Sequence, residues 1–284
     1  MILVIGGRSK IGSAVIDGLL DRGQPVRALA RSGEVASSPP DGAEVVVGDL
    51  ADGDSLQRAM AGVDRVFLLC GPTPEEVRFN RNAIDAAKAA GVHRLVRSSI
   101  LGSDATSAAT FVRDHGACDA YLRDSGLPHV IIRPNLFLQN VLENTVPSIG
   151  EDGVFYQNAG AARISMVDTR DAAAVAVAAL TGFGDDGDAL DVTGPVALSY
   201  DDVAAALSSS LARPITYVDA PDEAMRRALG GFGLGEWMVG ALVDLYQDYR
   251  RSGTNGYAAA VSDIVSRATG RPPRTLDDLL DERK

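Results

Sequence analysis

Ile2-Leu3-Val4-Ile5 is a continuous apolar run that breaks into Gly6-Gly7-Arg8-Ser9-Lys10-Ile11-Gly12, and an amphipathic segment follows from Ile11 to Leu20. A strand that enters a tight glycine turn and leaves it as a helix presents unpaired backbone N–H groups and a positive dipole end. That arrangement holds a pyrophosphate. Gly6 permits the turn, Gly12 permits close packing of helix on strand, and Ser9 stands where the dinucleotide fingerprint has its middle glycine. The next strand discriminates between cofactors. Val26-Arg27-Ala28-Leu29-Ala30-Arg31 ends on arginine, where a chain that selects a free ribose 2′-hydroxyl carries Asp or Glu. A guanidinium pairs with a 2′-phosphate, and a carboxylate repels one. With Arg8 and Lys10 in the neighbouring loop, the expected cofactor is NADPH.

The elements that must position this loop are legible as a rhythm. Val26–Ala30, Glu44–Val47, Val66–Leu69, Arg94–Arg97 and Val130–Ile132 read as strands, with helical patterns around Leu56, Ala83–Ala90 and Cys118–Leu122 between several of them. Buried runs alternating with helices predict an α/β fold, a Rossmann-like doubly wound parallel sheet covered on both faces. Its ligand lies at the carboxyl ends of the strands. By chain position, Asp49 and Leu50 bracket the adenine, and Leu69, Cys70 and Gly71 lie under the nicotinamide ribose. After Pro134 the rhythm changes: Phe137–Val146 and Asp168–Leu180 read as helices, and Gly153–Tyr156, Ile164–Val167, Asp191–Thr193 and Ile215–Val218 as short strands. The expected division is an NADP-binding domain over 1–135 and a smaller, mostly helical substrate lobe over 136–284, interleaved with the sheet.

Composition narrows the class further. A formal net charge of -11 argues against a nucleic-acid surface, which needs clustered positive charge. Two distant cysteines, Cys70 and Cys118, read as thiols in a reducing compartment and supply no metal cluster. A strand-like run from residue 2 leaves no room for a signal peptide, and no apolar stretch is long enough to span a membrane, so a cytoplasmic protein is expected. Lysine occurs only at Lys10, Lys88 and Lys284, and this skew toward arginine points to a high-GC bacterial source.

Taken in order, Gly6–Gly12, Val26–Arg31, Gly48-Asp49-Leu50, Asn82–Val92, Val96-Arg97-Ser98-Ser99, Tyr121–Pro128, Arg133-Pro134-Asn135 and Asp191–Pro195 resemble the NmrA-like, atypical short-chain dehydrogenase/reductase family over nearly the whole chain. The resemblance implies a nucleotide-binding fold. Such families hold quinone and dye reductases, antibiotic-pathway ketoreductases and non-catalytic redox-sensing regulators. Ordinary short-chain reductases protonate the new alkoxide from a Tyr with a Lys four residues later. None of the seven tyrosines here has that lysine.

Isoflavone-type reductases of the family instead carry a lysine eleven residues before the Gly of a Gly-Leu-Pro turn. In this chain the turn is Gly126-Leu127-Pro128 and the matching position is His115, whose imidazole can pass a proton near neutrality. In the wider superfamily a hydroxyl at the end of the fifth strand binds the substrate carbonyl, which points to Ser99 in Ser98-Ser99. Asn135, Phe137, Gln139 and Asn140, with Trp237 and Met238 from the helical lobe, are the expected substrate wall. The chain also resembles angucyclinone ketoreductases of the simocyclinone type, which implies a polycyclic aromatic carbonyl substrate. A phenol beside the ketone then offers its own proton, an alternative to His115. A redox-sensing regulator is the competing reading, since it needs only the nucleotide and a partner surface.

Overall fold

The computed structural model describes residues 1–31 and 42–283. The chain runs β1 (Ile2–Ile5), α1 (Lys10–Leu20), β2 (Val26–Ala30), β3 (Glu44–Val47), α2 (Gly53–Ala59), β4 (Arg65–Leu68), α3 (Glu76–Ala89), β5 (Arg94–Ser98), α4 (Thr110–Asp124) and β6 (His129–Pro134). It continues with α5 (Leu138–Thr145), β7 (Val154–Gln157), α6 (Thr169–Leu180), β8 (Ala189–Val192), α7 (Tyr200–Leu211), β9 (Thr216–Asp219), α8 (Asp222–Gly231), α9 (Glu236–Ser252), α10 (Ile264–Thr269) and α11 (Leu276–Asp281). Seven strands form one parallel sheet in the order β3-β2-β1-β4-β5-β6-β8, the doubly wound arrangement the alternation predicts. Chain order reverses between β1 and β4, so a crevice opens beyond the carboxyl ends of those two strands.

Successive side chains of a strand face opposite sides of the sheet. Ile2, Val4 and Val96 join one core with Val15, Ile16 and Leu19 of α1 and the alanines and valines of α6. Leu3, Ile5 and Leu95 join the opposite core with Leu56 of α2, Ile84 of α3 and Leu122 of α4. On β5 this alternation sends Arg97 to the same side as Leu95, against α3 and α4.

The second half of the chain contributes to the sheet domain as well as to a lobe. β8 is the sheet's last strand, and α6 lies across α1 and the sheet face. The small side chains of α6 allow that approach: a Cβ at Gly18 of α1 would come within 3.2 Å of Val177. The remainder gathers a third core, in which Leu138, Leu142, Phe155, Leu207 and Tyr249 surround buried Tyr200. Strands β7 and β9 pair there as a separate two-stranded sheet.

Three elements differ from the sequence reading. Ile164–Val167 is not a strand. Its backbone pairs in turn with Leu198, Ala258 and Leu136, so the segment is a junction between three parts of the chain and belongs to no ladder. Helix α3 begins at Glu76, seven residues before the apolar pattern shows itself, and α4 begins at Thr110, eight residues before. The first inward positions of α3 are the polar Glu76 and Asn80, which hides its start from a search for apolar periodicity, whereas α4 opens on buried Phe111 and Val112.

Candidate active site

The glycine loop is built as its residue types require. Gly6 has φ of +87°, a left-handed conformation that side chains resist, and a Cβ there would lie 2.6 Å from the Leu69 carbonyl oxygen. A Cβ at Gly12 would lie 2.1 Å from the Gly6 carbonyl oxygen. Ser9, in place of the middle glycine, caps α1: its Oγ accepts from Gly12 N at 2.9 Å and donates to the Gly6 carbonyl oxygen at 2.9 Å. The N–H groups of Lys10 and Ile11 in the first turn precede any intrahelical partner and face the crevice end of the helix.

Beside the loop lies a cavity of about 490 Å³. Its wall includes Gly6, Gly7, Arg8, Ser9, Arg31, Asp49, Leu50, Leu69, Cys70 and Gly71, so most of the predicted cofactor residues converge on one space. The others lie close by in the chain but serve packing. Ile11 is buried under the sheet, Gly12 seats the helix, and Lys10 forms an ion pair with Glu143 of α5. Pro72, Thr73 and Phe79 close the cavity on the side of α3. A cradle that no Cβ fits, a helix start and two guanidinium side chains on one wall suit a phosphorylated dinucleotide.

Behind that wall lies a buried polar cluster that the sequence reading reached only at two of its members. Arg97 is fully buried in the interior face of β5. Its Nε donates to Asn80 Oδ1 at 2.9 Å, its Nη1 donates to Asp119 Oδ1, and its Nη2 lies 3.0 Å from His115 Nδ1 and 3.4 Å from Glu76 Oε1. His115 Nδ1 is in turn 3.1 Å from Glu76 Oε1. Asp119 Oδ2 accepts from Ser99 Oγ at 2.8 Å and from Ser103 Oγ at 2.7 Å. Ser99 and His115, the two predicted catalytic residues, are thus joined through one arginine and one carboxylate.

The burial is costly and shows in the acidities. Burial pushes the Glu76 carboxyl up to about 7, although Arg97 pulls the other way. Burial holds His115 well below its ordinary 6.5, and the Arg97 guanidinium adds to this, so the imidazole is neutral. The thiols of Cys70 and Cys118 are each pushed up to about 12, mainly by burial, with the Glu76 carboxylate among the lesser causes. His115 is not sealed: its side chain keeps 14% of its exposure while Nδ1 points inward.

The predicted substrate wall divides. Asn135 is buried, and its amide is used in full: Nδ2 donates to Ser165 Oγ and the Ala258 carbonyl, and Oδ1 accepts from Leu136 N. Gln139 Oε1 accepts from Thr169 N at the start of α6, 2.9 Å away. Phe137 is half-buried against the core shared by α1 and α6, and Asn140 is exposed. Trp237, at the start of α9, meets Phe111 edge to face with ring centroids 5.8 Å apart. Phe111 lies one helical turn before His115 on α4, so Trp237 and its half-buried neighbour Met238 stand on the His115 side of the molecule.

Fold and loop together define a nicotinamide-dinucleotide-binding protein. Residues 6–182 match a family described as NAD(P)H-binding, and the chain belongs to it. It is 38% identical to an NAD(P)H azoreductase of Xenophilus azovorans over 97% of this chain and 95% of that one. It is 39% identical to a (4-alkanoyl-5-oxo-2,5-dihydrofuran-3-yl)methyl phosphate reductase of Streptomyces griseus, over 98% of this chain and 96% of that one. Among solved structures, an NADPH-dependent quinone oxidoreductase of Escherichia coli complexed with NADPH superimposes with a TM-score of 0.90. It is 26% identical, covering 100% of this chain and 99% of that one. The chain is an NAD(P)H-dependent oxidoreductase. Among the described residues no helix is long and apolar enough to cross a membrane.

Proposed function

We propose that this protein is an NADPH-dependent reductase that transfers hydride to a carbonyl of a polycyclic aromatic ketone or quinone, without a Tyr-Lys acid. When bound, NADPH supplies the hydride. The remaining work falls to the chain. Arg8 and Arg31 on the cavity wall favour the 2′-phosphate over a bare ribose. The loop N–H groups hold the pyrophosphate, and Ser99, just after β5, and His115 of α4 belong to the buried cluster around Arg97, outside the lining of the cavity.

The observation that carries this reading is the cavity beside the glycine loop, whose wall brings Arg8 and Arg31 together with Leu69, Cys70 and Gly71. His115, held neutral by burial, stores no proton of its own beyond the one on its ring, and the Ser99 hydroxyl is committed to Asp119. They suit an acceptor whose reduced form is a stabilised anion, such as a hydroquinone or an alkoxide beside a phenol. The relatives support the same chemistry, being described as reductases of azo compounds, of a conjugated dihydrofuranone phosphate and of quinones.

The test is NADPH oxidation against a panel of polycyclic aromatic ketones and quinones, with NADH and His115→Ala alongside. Turnover that prefers NADPH supports the reading. Tight NADPH binding with no turnover across the panel overturns it in favour of a redox-sensing regulator. Methylating a phenol beside the reacting ketone asks who supplies the proton: an unchanged rate assigns it to the protein.

A further inference from the structure

Three polar atoms form a closed triangle at the buried edge of His115: Nδ1, Arg97 Nη2 at 3.0 Å and Glu76 Oε1 at 3.1 Å, with 3.4 Å between the last two. Arginine only donates. Nδ1 has one lone pair, so while it accepts, from Arg97 or from a protonated Glu76, the ring proton must sit on Nε2. If Glu76 ionises, Nδ1–H can donate to its carboxylate instead, and Nε2 loses its proton. Arg97 can donate to Nδ1 in either state of Glu76, but only an ionised Glu76 can accept from Nδ1–H, so the protonation of Glu76 biases the tautomer of His115.

We propose that Glu76 is the proton reservoir of the reductase and that His115 conducts its proton to the substrate. The inference rests on the reductase reading above. After hydride transfer from NADPH the substrate carries an oxyanion. The Glu76 O–H bond breaks as Nδ1–H forms, and the Nε2–H bond breaks as the substrate O–H forms. The negative charge moves from the substrate oxygen to the Glu76 carboxylate, where Arg97 stabilises it, and His115 is neutral before and after. Solvent then reloads the pair through the partly exposed ring edge.

A histidine that burial keeps from becoming imidazolium cannot be the acid itself, yet it can relay a proton it never stores. Glu76, at about 7, is poised to store it. The groups facing Glu76 are Arg97 from β5, His115, Asp119, Asp114 and Cys118 from α4, and Cys70 after β4. Only Arg97 is a fixed cation, and Cys70 and Cys118 stay protonated near neutrality. Glu76 acts through His115 and is a positioning residue, while His115 is the catalytic one.

Two measurements test the switch. In the free protein, carboxyl carbon and imidazole nitrogen NMR across neutrality should show His115 changing tautomer, without forming imidazolium, as Glu76 titrates near pH 7. Glu76→Gln should abolish that change. In turnover with a quinone, wild-type kcat should fall as pH rises past about 7. Glu76→Gln should be about a hundredfold slower with that limb gone, and NADPH affinity and KM unchanged. A tautomer that ignores Glu76, or a pH limb that survives Glu76→Gln, overturns the proposal. If Glu76→Gln fails to fold, His115→Gln serves: the Glu76 titration should remain while the kcat limb disappears, and a limb that persists again overturns the relay. If no acceptor turns over yet the tautomer follows Glu76, the switch stands and the reductase reading falls.

Discussion

Replacing Arg97 with methionine measures how far the buried cluster depends on its single cation. Arg97 is enclosed and contacts Asn80, Asp119, His115 and Glu76. Methionine restores much of the lost volume but leaves two buried acids without a positive partner. Glu76 escapes the penalty by keeping its proton, since burial already favours its neutral form. Asp119 keeps only the hydroxyls of Ser99 and Ser103. Removing one partner of a buried ion pair costs about 3–5 kcal/mol. At roughly 2–4 °C per kcal/mol for a chain of this size, that lowers Tm by about 6–20 °C. Urea unfolding at neutral pH gives the stability loss directly. Adding Asp119→Asn removes the stranded charge, so the double variant should regain about 2 kcal/mol, a coupling that a mutant cycle isolates. If Arg97→Met unfolds within about 1 kcal/mol of wild type and Asp119→Asn restores nothing, the cluster is not a charge-balanced unit.

Further outcomes follow from the same geometry. Glu76 holds its proton more tightly folded than unfolded, so its contribution to stability is fully present below about pH 4.5 and is lost as pH rises to about 7. Relative to Glu76→Gln, the wild type should lose roughly 3 kcal/mol over that window and nothing more above it, read from urea midpoints at several pH values. Gly12→Ala forces a methyl against the Gly6 carbonyl oxygen, so NADPH affinity measured by fluorescence should drop at least about tenfold. Cys70 and Cys118, with thiols pushed up to about 12, should resist iodoacetamide at neutral pH in the folded chain and react promptly after unfolding.

The parts of the molecule visible in the sequence are those governed by local rules. The glycine loop, the alternating strands and the arginine at the end of β2 each carry a spacing with a direct physical meaning, and they meet around one cavity. The buried cluster obeys no local rule, because its members come from three separate segments, α3, β5 with the turn after it, and α4. One signal was present: Arg97 interrupts a strand otherwise buried on both faces, and such a charge requires partners. Those partners come as two polar pairs at helical spacing, Glu76 with Asn80 on α3 and His115 with Asp119 on α4. Asn135 and Gln139 show the opposite case. As amides after a strand they read as substrate anchors, but in the fold Asn135 ties β6 to Ser165 and Ala258, and Gln139 caps α6. Which surface a polar side chain meets is decided by chain segments far away.

The position of α6 bears on how the protein comes into being. The helix that covers α1 and the outermost strand of the sheet are both made after the lobe has begun, from residues 169–192. A nascent chain ending near residue 135 has its nucleotide loop and α1 but lacks α6, which completes the cover of that face of the sheet. Long-range pairing of this kind slows folding and exposes apolar surface on the way. Recombination between relatives near residue 135 would set α6 of one parent against α1 of the other. Exchange of the segment after β8, which leaves α1 and α6 together, preserves this packing where an exchange near residue 135 does not.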